Sequence, residues 1–135
     1  MQASGRLAAA GMPLIRSVGA RGDEAPAPPT TQLEASLWVL RLVGEHDLST
    51  APLVEAAFER IEASGTTVVV DLTDTSFIDS AVIGALIRPA RRGKTLLLVA
   101  PRGIARKTLD LVGIPELLRT FETRDEALQA VERHD

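Results

Sequence analysis

Short apolar runs alternate along this chain with segments whose apolar residues recur at helical spacing. The run at residues 68–72 (VVVDL) is rich in β-branched residues and too short for a helix, which is typical of a central parallel strand covered on both faces. Similar runs lie at residues 37–43 (LWVLRLV) and 95–100 (TLLLVA). Because parallel strands need crossover connections, this alternation predicts an α/β fold with a mixed, mostly parallel β-sheet flanked by about four α-helices.

The helical segments carry start signals of their own. Ser49 or Thr50 is suited to cap a first helix, since a hydroxyl can accept a hydrogen bond from a free backbone N–H group of the first turn. Ser80 is placed to cap a second helix in the same way. Thr123, followed three residues later by Glu126, predicts a capping box for the last helix.

The beginning of the chain differs in composition from the rest. Residues 19–32 are small, polar and proline-rich, and such a segment cannot bury enough apolar surface to become ordered. A chain of 135 residues accommodates one domain and a tail. We therefore predict a disordered N-terminal leader over residues 1–30 and a single domain over residues 31–135, with a weakly marked strand at residues 31–34.

Several classes of function have no support in the residues. The chain has no cysteine, and its two histidines, His46 and His134, form no metal set or catalytic triad. Residues 93–95 (GKT) resemble the end of a phosphate-binding loop, but Arg88 stands where that motif needs a glycine. A net charge of −3 argues against nucleic acid as a partner, and no apolar run is long enough for a membrane. We expect a cytoplasmic protein that is not an enzyme and has no cofactor.

Two loops are expected to carry the function. In parallel sheets functional loops gather at the carboxyl ends of strands, which here means residues 44–50 and 73–80. Their carboxylates, on Asp47, Asp74 and Asp79, could hold a magnesium ion, and a nucleotide-hydrolysing site could use Asp47 and Asp79. Aspartates at such positions more often form turns and caps, which is the interpretation we favour.

Ser80 is the candidate for regulation. At a helix N-terminus its hydroxyl would lie beside free N–H groups and the positive end of the helix dipole, where a phosphate is accommodated. The alternative is that Ser80 only caps its helix. A basic cluster that includes Arg88 follows on the same helix, either as a solvated face or as the edge of a partner surface.

Two stretches in these loops resemble the signatures of the STAS domain, which anti-sigma factor antagonists share with sulfate transporters. They are residues 44–52 (GEHDLSTAP) and 71–86 (DLTDTSFIDSAVIGAL), and a weaker third stretch follows at residues 109–114 (LDLVGI). Two long motifs at consistent spacing are more specific than one short pattern. The resemblance covers residues 31–133.

The resemblance to the antagonists implies a bacterial phosphoprotein that regulates transcription by partner switching. In these proteins a serine or threonine at the start of the second helix is phosphorylated by a serine kinase that is also the anti-sigma factor, and a serine phosphatase reverses the step. By motif position this residue is Ser80. The unmodified protein, expected to be a monomer, would bind the anti-sigma factor and release a sigma factor. The implied partner-binding residues are Asp47, Ser49, Thr50, Asp79, Ser80, Ala81, Val82, Gly84 and Arg88.

The chain departs from the family pattern in both stretches. Residues 79–84 read DSAVIG where the family commonly has Asp-Ser-Ser/Thr-Gly-Leu-Gly, so Ala81 removes a hydroxyl and Val82 replaces a glycine. We expect the branched side chain of Val82 to restrict the approach of a partner. His46 replaces a commonly apolar residue. The departures at Ala81 and Val82 favour the alternative of a non-catalytic scaffold or accessory subunit, in a stress-sensing complex or a transporter.

Overall fold

A mostly parallel sheet forms the centre of the computed structural model, which describes residues 14–19, 24–25, 37–62 and 67–133. The described strands are β1 (Leu14–Gly19), β2 (Glu24–Ala25), β3 (Leu37–His46), β4 (Thr67–Asp71), β5 (Thr75–Ile78), β6 (Leu96–Val99) and β7 (Arg119–Phe121). In the strand order β2-β1-β3-β4-β6-β7 only β1 and β2 pair antiparallel among these strands. This arrangement confirms the predicted α/β fold.

The helices that connect the strands agree in number with the sequence prediction. They are α1 (Ala51–Glu62), α2 (Ser80–Arg91), α3 (Ile104–Leu111) and α4 (Arg124–Arg133), with a 3₁₀ turn at Ile114–Glu116. Half of the predicted capping box forms at α4, where the hydroxyl of Thr123 accepts from the backbone N–H of Glu126 at 3.1 Å. In the part of the chain that the structure describes, no helix combines the length and the apolar character needed to cross a bilayer.

Two apolar clusters cover the two faces of the sheet. In β4 the side chains of Val68 and Val70 join the cluster formed with α1 and α2, whereas Val69 joins the cluster that contains Ala127 of α4. Successive residues of a strand point to opposite faces, so all three valines are fully buried. The prediction of a central strand covered on both sides is confirmed.

Strand β3 has two partners in succession on one side. Its first half, Leu37 to Arg41, pairs with β4, and its end, Gly44 to His46, pairs with the short strand β5. Gly44 adopts a φ of 88°, which glycine tolerates, and the register shifts immediately after it. The predicted loops at 44–50 and 73–80 are therefore shorter than expected, because parts of both form a paired extension of the sheet.

Two strands of the sheet, β1 and β2, lie within the segment predicted as a leader. Within that segment β1 runs parallel to β3, with Leu14 opposite Trp38 and Gly19 opposite Val43. An open edge of β3 would leave backbone N–H and C=O groups without partners, and pairing with β1 satisfies them. The possible strand at residues 31–34 lies outside the described residues. The domain boundary at residue 31 stays a prediction.

An ion pair with a buried carboxylate joins α4 to the end of β4. The carboxylate of Asp71, only 4% exposed, accepts from Arg124 Nε at 2.9 Å and from the backbone N–H of Thr73 at 2.9 Å. A second pair, between Arg41 and Asp74 at 2.8 Å, has both side chains more than a third exposed. Both are arginine–aspartate pairs, and they differ mainly in the burial of the aspartate.

We expect Asp71→Asn to lower the free energy of unfolding by about 1–3 kcal/mol, since Arg124 and the backbone N–H of Thr73 donate to different oxygens of this buried carboxylate and an amide keeps only one of these acceptors. Asp74→Asn is the matched control, and its solvated pair should contribute about 0–1 kcal/mol. Urea unfolding of the three proteins measures both effects. If both variants lost the same free energy of unfolding, burial of the Asp71 carboxylate would not be the reason for its contribution.

Candidate functional site

The paired ends of β3 and β5 bring the two predicted loops together. Their register places His46 opposite Ile78, so the next residues, Asp47 and Asp79, leave two adjacent parallel strands side by side. Neighbouring strands lie about 4.8 Å apart. Ser80 follows directly as the first residue of α2. The sheet thus assembles the acidic and hydroxyl residues that the sequence pattern had assigned to one edge.

The second helix is capped by Asp79, and the prediction that Ser80 is the cap is wrong. The Asp79 carboxylate accepts from the backbone N–H groups of Ala81 at 3.0 Å and Val82 at 3.2 Å, and its backbone is extended. Its carbonyl oxygen accepts from the N–H of Ile83 at 3.0 Å. A carboxylate here gains both hydrogen bonds and the favourable end of the helix dipole.

Ser80 is left exposed at the first helical position. Its hydroxyl has no hydrogen-bond partner among the residues that the structure describes. The neighbouring hydroxyl of Ser49 differs, because it donates to the Asp47 carboxylate at 2.6 Å. Ser80 therefore presents an accessible and unengaged hydroxyl at the edge of the sheet.

Asp47 forms a compact turn with Ser49. Its Oδ1 atom accepts from both the hydroxyl and the backbone N–H of Ser49, the latter at 2.9 Å. The bond from the Ser49 hydroxyl has the largest effect, and together these bonds hold the pKa of the Asp47 carboxyl below its ordinary value. Asp47 thus presents a fixed negative charge beside Asp79 and Ser80.

Thr50, one of the predicted partner-binding residues, lies beneath this turn with 4% of its surface exposed. Its hydroxyl is 3.0 Å from Nδ1 of His46, which is fully buried at the end of β3. The other ring nitrogen of His46 is 3.1 Å from the carbonyl oxygen of Val43. The position that is commonly apolar in the family is here a core position, filled by a hydrogen-bonded imidazole.

The remaining predicted residues lie along α2. Val82 is fully buried against α1 and the sheet, so its branched side chain points into the core, and its effect on a partner's approach stays a prediction. Ala81 is half-buried. Gly84 and Arg88 follow Ser80 at intervals of four residues, which places them on one face of the helix. Arg88 Nη1 donates to Glu55 Oε2 of α1 at 2.9 Å and thereby joins the two helices.

Each carboxylate of the magnesium hypothesis has a structural partner. Asp47 accepts from Ser49, Asp79 caps α2, and Asp74 accepts from Arg41. Over residues 37–62 and 67–133 no group of three or more histidine, aspartate or glutamate side chains is arranged to hold a metal ion. The turn and cap roles favoured from the sequence are the ones observed.

Sequence reasoning missed one residue of this site. Leu48, between Asp47 and Ser49, exposes 73% of its surface. An apolar side chain this exposed within a polar turn is a candidate contact for a partner protein. The signal was present in the sequence, because Leu48 interrupts a run of turn-forming residues and belongs to no helical or strand pattern.

The sequence model of the STAS domain matches residues 28–127. The chain belongs to the STAS domain family. Among solved structures it resembles an anti-sigma factor antagonist from Mycobacterium paratuberculosis, with 27% identity, a TM-score of 0.67, and 71% of this chain and 86% of that one covered. A search of curated proteins gave no match.

Two further solved structures share the fold of this STAS domain. One is the anti-sigma factor antagonist SpoIIAA in its unphosphorylated form, with 23% identity, a TM-score of 0.61, and coverage of 73% of this chain and 90% of that one. The other is a sulfate transporter family protein from Wolinella succinogenes, with 22% identity, a TM-score of 0.61, and coverage of 73% and 86%. The fold resemblance therefore extends to both branches of the family.

We expect Asp79→Ala to destabilise this STAS domain by about 0.5–2 kcal/mol, because two backbone N–H groups of α2 lose their acceptor. Ser80→Ala should change the stability by less than about 0.5 kcal/mol, as is usual for an exposed site. Urea unfolding measures both. If Ser80→Ala lost more free energy of unfolding than Asp79→Ala, Ser80 and not Asp79 would be the N-cap.

The hydroxyl of Ser49 should control the ionisation of Asp47. In Ser49→Ala the pKa of the Asp47 carboxyl is expected to rise toward its ordinary value of 3.8, because the largest hydrogen bond is lost. The pKa of Asp47 is lower in the folded state than in the unfolded state. The hydrogen bond therefore stabilises the fold at pH values above the unfolded-state pKa, and this stabilisation disappears as the pH falls through the folded-state pKa. Carboxyl NMR titration measures the change, with Ser76→Ala as a control that should leave Asp47 unaffected.

Proposed function

We propose that this STAS domain is an anti-sigma factor antagonist that binds a serine kinase-type anti-sigma factor and thereby releases a sigma factor. Phosphorylation of Ser80 ends the binding. The observation that carries the proposal is the exposed hydroxyl of Ser80, which has no partner in the described part of the chain and stands next to Asp79 and Asp47. The similarity to the Mycobacterium paratuberculosis antagonist supports the same class of function.

A phosphate on Ser80 would act on the surface and leave the fold intact. The backbone N–H groups of Ala81 and Val82 already donate to Asp79, so they are not free to bind a phosphate. The modification adds about −1.5 to −2 charges beside two carboxylates. Repulsion from Asp47 and Asp79 favours a phosphate that points to solvent, where a partner would meet it.

The partner would contact this edge through an apolar anchor within a polar rim. Leu48 supplies the exposed apolar side chain, while Asp47 and Asp79 supply fixed acceptors. Arg88, paired with Glu55, marks the far edge of the same face of α2. An interface that fits a bare hydroxyl would have to bury a dianion after phosphorylation, and burying such a charge without a new partner is costly.

The chemistry belongs to the partners. The Ser80 oxygen attacks the γ-phosphorus of ATP held by the kinase, the bond from that phosphorus to ADP breaks, and the hydroxyl proton passes to a base of the kinase. A serine phosphatase hydrolyses the product and restores the hydroxyl. The antagonist acts as a monomeric cytoplasmic protein and needs no cofactor, nucleic acid or membrane.

Two observations favour a second function, that of a non-catalytic scaffold or accessory subunit. Ala81 lacks the hydroxyl that the family commonly has there, and the fold is also shared with a sulfate transporter family protein. In that function the same edge of the sheet would bind a neighbour by shape, and Ser80 would remain unmodified.

Incubation with kinase-type anti-sigma factors of the same organism, magnesium and ATP tests the proposal. We expect mass spectrometry to find phosphate on Ser80, and phosphorylation to raise the Kd for the partner at least tenfold. Both effects should be absent in Ser80→Ala. The tenfold change corresponds to about 1.4 kcal/mol.

The matched control is Ser76→Ala, since Ser76 is an exposed serine on β5, four residues before Ser80. It should be phosphorylated and released like the wild type. Stable binding without modification would support the scaffold instead, and modification that leaves binding unchanged would refute the switch.

A further inference from the structure

A pair of buried polar side chains lies directly beneath the turn that carries Asp47. His46 is fully buried and Thr50 is 4% exposed, whereas the three residues between them are all exposed. His46 ends β3 and Thr50 directly precedes α1. The exposed turn is therefore held at both ends by residues that bond to each other in the core.

The hydrogen bonds of this pair meet at the Thr50 hydroxyl. The carbonyl oxygen of Val43 can only accept, so we assign the proton of the neutral imidazole to Nε2, which leaves Nδ1 as an acceptor. The Thr50 hydroxyl accepts from the backbone N–H of Asp47 at 3.0 Å, and its proton has two acceptors within reach, Nδ1 of His46 at 3.0 Å and the carbonyl oxygen of Asp47 at 3.2 Å. The side chains of His46 and Thr50 thus fix the backbone of Asp47.

Backbone bonds alone would hold the turn less completely. The carbonyl oxygen of Asp47 accepts from the N–H groups of Thr50 and Ala51, both at 3.0 Å. These bonds close the turn but leave the N–H of Asp47 to the Thr50 hydroxyl. An apolar residue in place of His46 could fill the same space, but it would leave that hydroxyl with the carbonyl oxygen of Asp47 as its acceptor and without a hydrogen bond to the end of β3. The imidazole therefore adds an orienting contact that packing by itself does not supply.

We infer that His46 and Thr50 are positioning residues that hold the turn of Asp47, Leu48 and Ser49 in the conformation that the anti-sigma factor binds. They act without touching the partner, because both are buried. A preorganised turn lowers the entropy lost on association, so it improves affinity more than it affects the reaction at Ser80. This inference rests on the proposed function, since it assigns the turn to the partner interface.

Thr50→Val and Thr50→Ser form the test. Valine keeps the shape of threonine and removes the hydroxyl, while serine keeps the hydroxyl. In steady-state phosphorylation by the kinase anti-sigma factor, we expect Thr50→Val to raise the KM for the STAS protein about tenfold with kcat changed less than twofold, in keeping with the loss of a buried hydrogen bond. Thr50→Ser should stay within about twofold of the wild type in both constants. Equal KM values for wild type and Thr50→Val would overturn the inference, as would a Thr50→Ser protein as impaired as Thr50→Val.

A destabilised variant elsewhere separates positioning from general stability. Val69 is fully buried on the opposite face of the sheet, in the cluster with Ala127. Val69→Ala should lower the midpoint of urea unfolding and leave KM unchanged. If Val69→Ala raised KM as much as Thr50→Val does, the effect would follow from stability and the positioning role would fail.

A measurement on the free protein keeps this inference distinct from the proposed function. Amide hydrogen exchange at Asp47 should accelerate in Thr50→Val and remain slow in Thr50→Ser, and ¹⁵N NMR should show the Nε2–H tautomer of His46. If wild-type protein is neither bound nor phosphorylated by any candidate kinase, the proposed function fails. Unchanged exchange at Asp47 in Thr50→Val would overturn the positioning role whatever the kinase result.

Discussion

The arrangement of the site depends on the exchange of partners along β3. This strand pairs with β4 over its first half and with β5 at its end, and the change occurs at Gly44. Thr75 stabilises the second pairing, because its buried hydroxyl donates to the carbonyl oxygen of Leu42 at 2.8 Å. Without β5 beside β3, Asp79 would not leave the sheet next to Asp47, and α2 would not begin where a partner can reach both loops.

Much of this architecture could be predicted from local pattern. The three valines of β4 identified a strand covered on both faces, because β-branched residues in an uninterrupted run fit only such a position. The pairing of β5 with β3 could not be predicted in the same way. Its four residues, Thr75–Ile78, bury only the two ends, so neither alternation nor length distinguishes them from a turn.

In the candidate site, too, some features follow from neighbouring residues in the sequence, and others are set only by tertiary packing. Asp79 and Ser80 are both good cap residues, and only the extended backbone of Asp79 decides which of them accepts the N–H groups of α2. The inward direction of Val82 and the burial of Thr50 follow from how α1 and α2 pack on the sheet. Sequence could place these residues in the right loops but could not assign their exposure.

The cap formed by Asp79 has a consequence for the timing of the proposed switch. If Ser80 is phosphorylated as proposed, the Asp79 carboxylate can keep its hydrogen bonds to the first turn of α2, so no segment would have to refold between the two states. The domain would then store its state in one covalent bond. Its response would be as fast as the enzymes that make and break that bond, and it would keep a record of the last signal until one of them acts again.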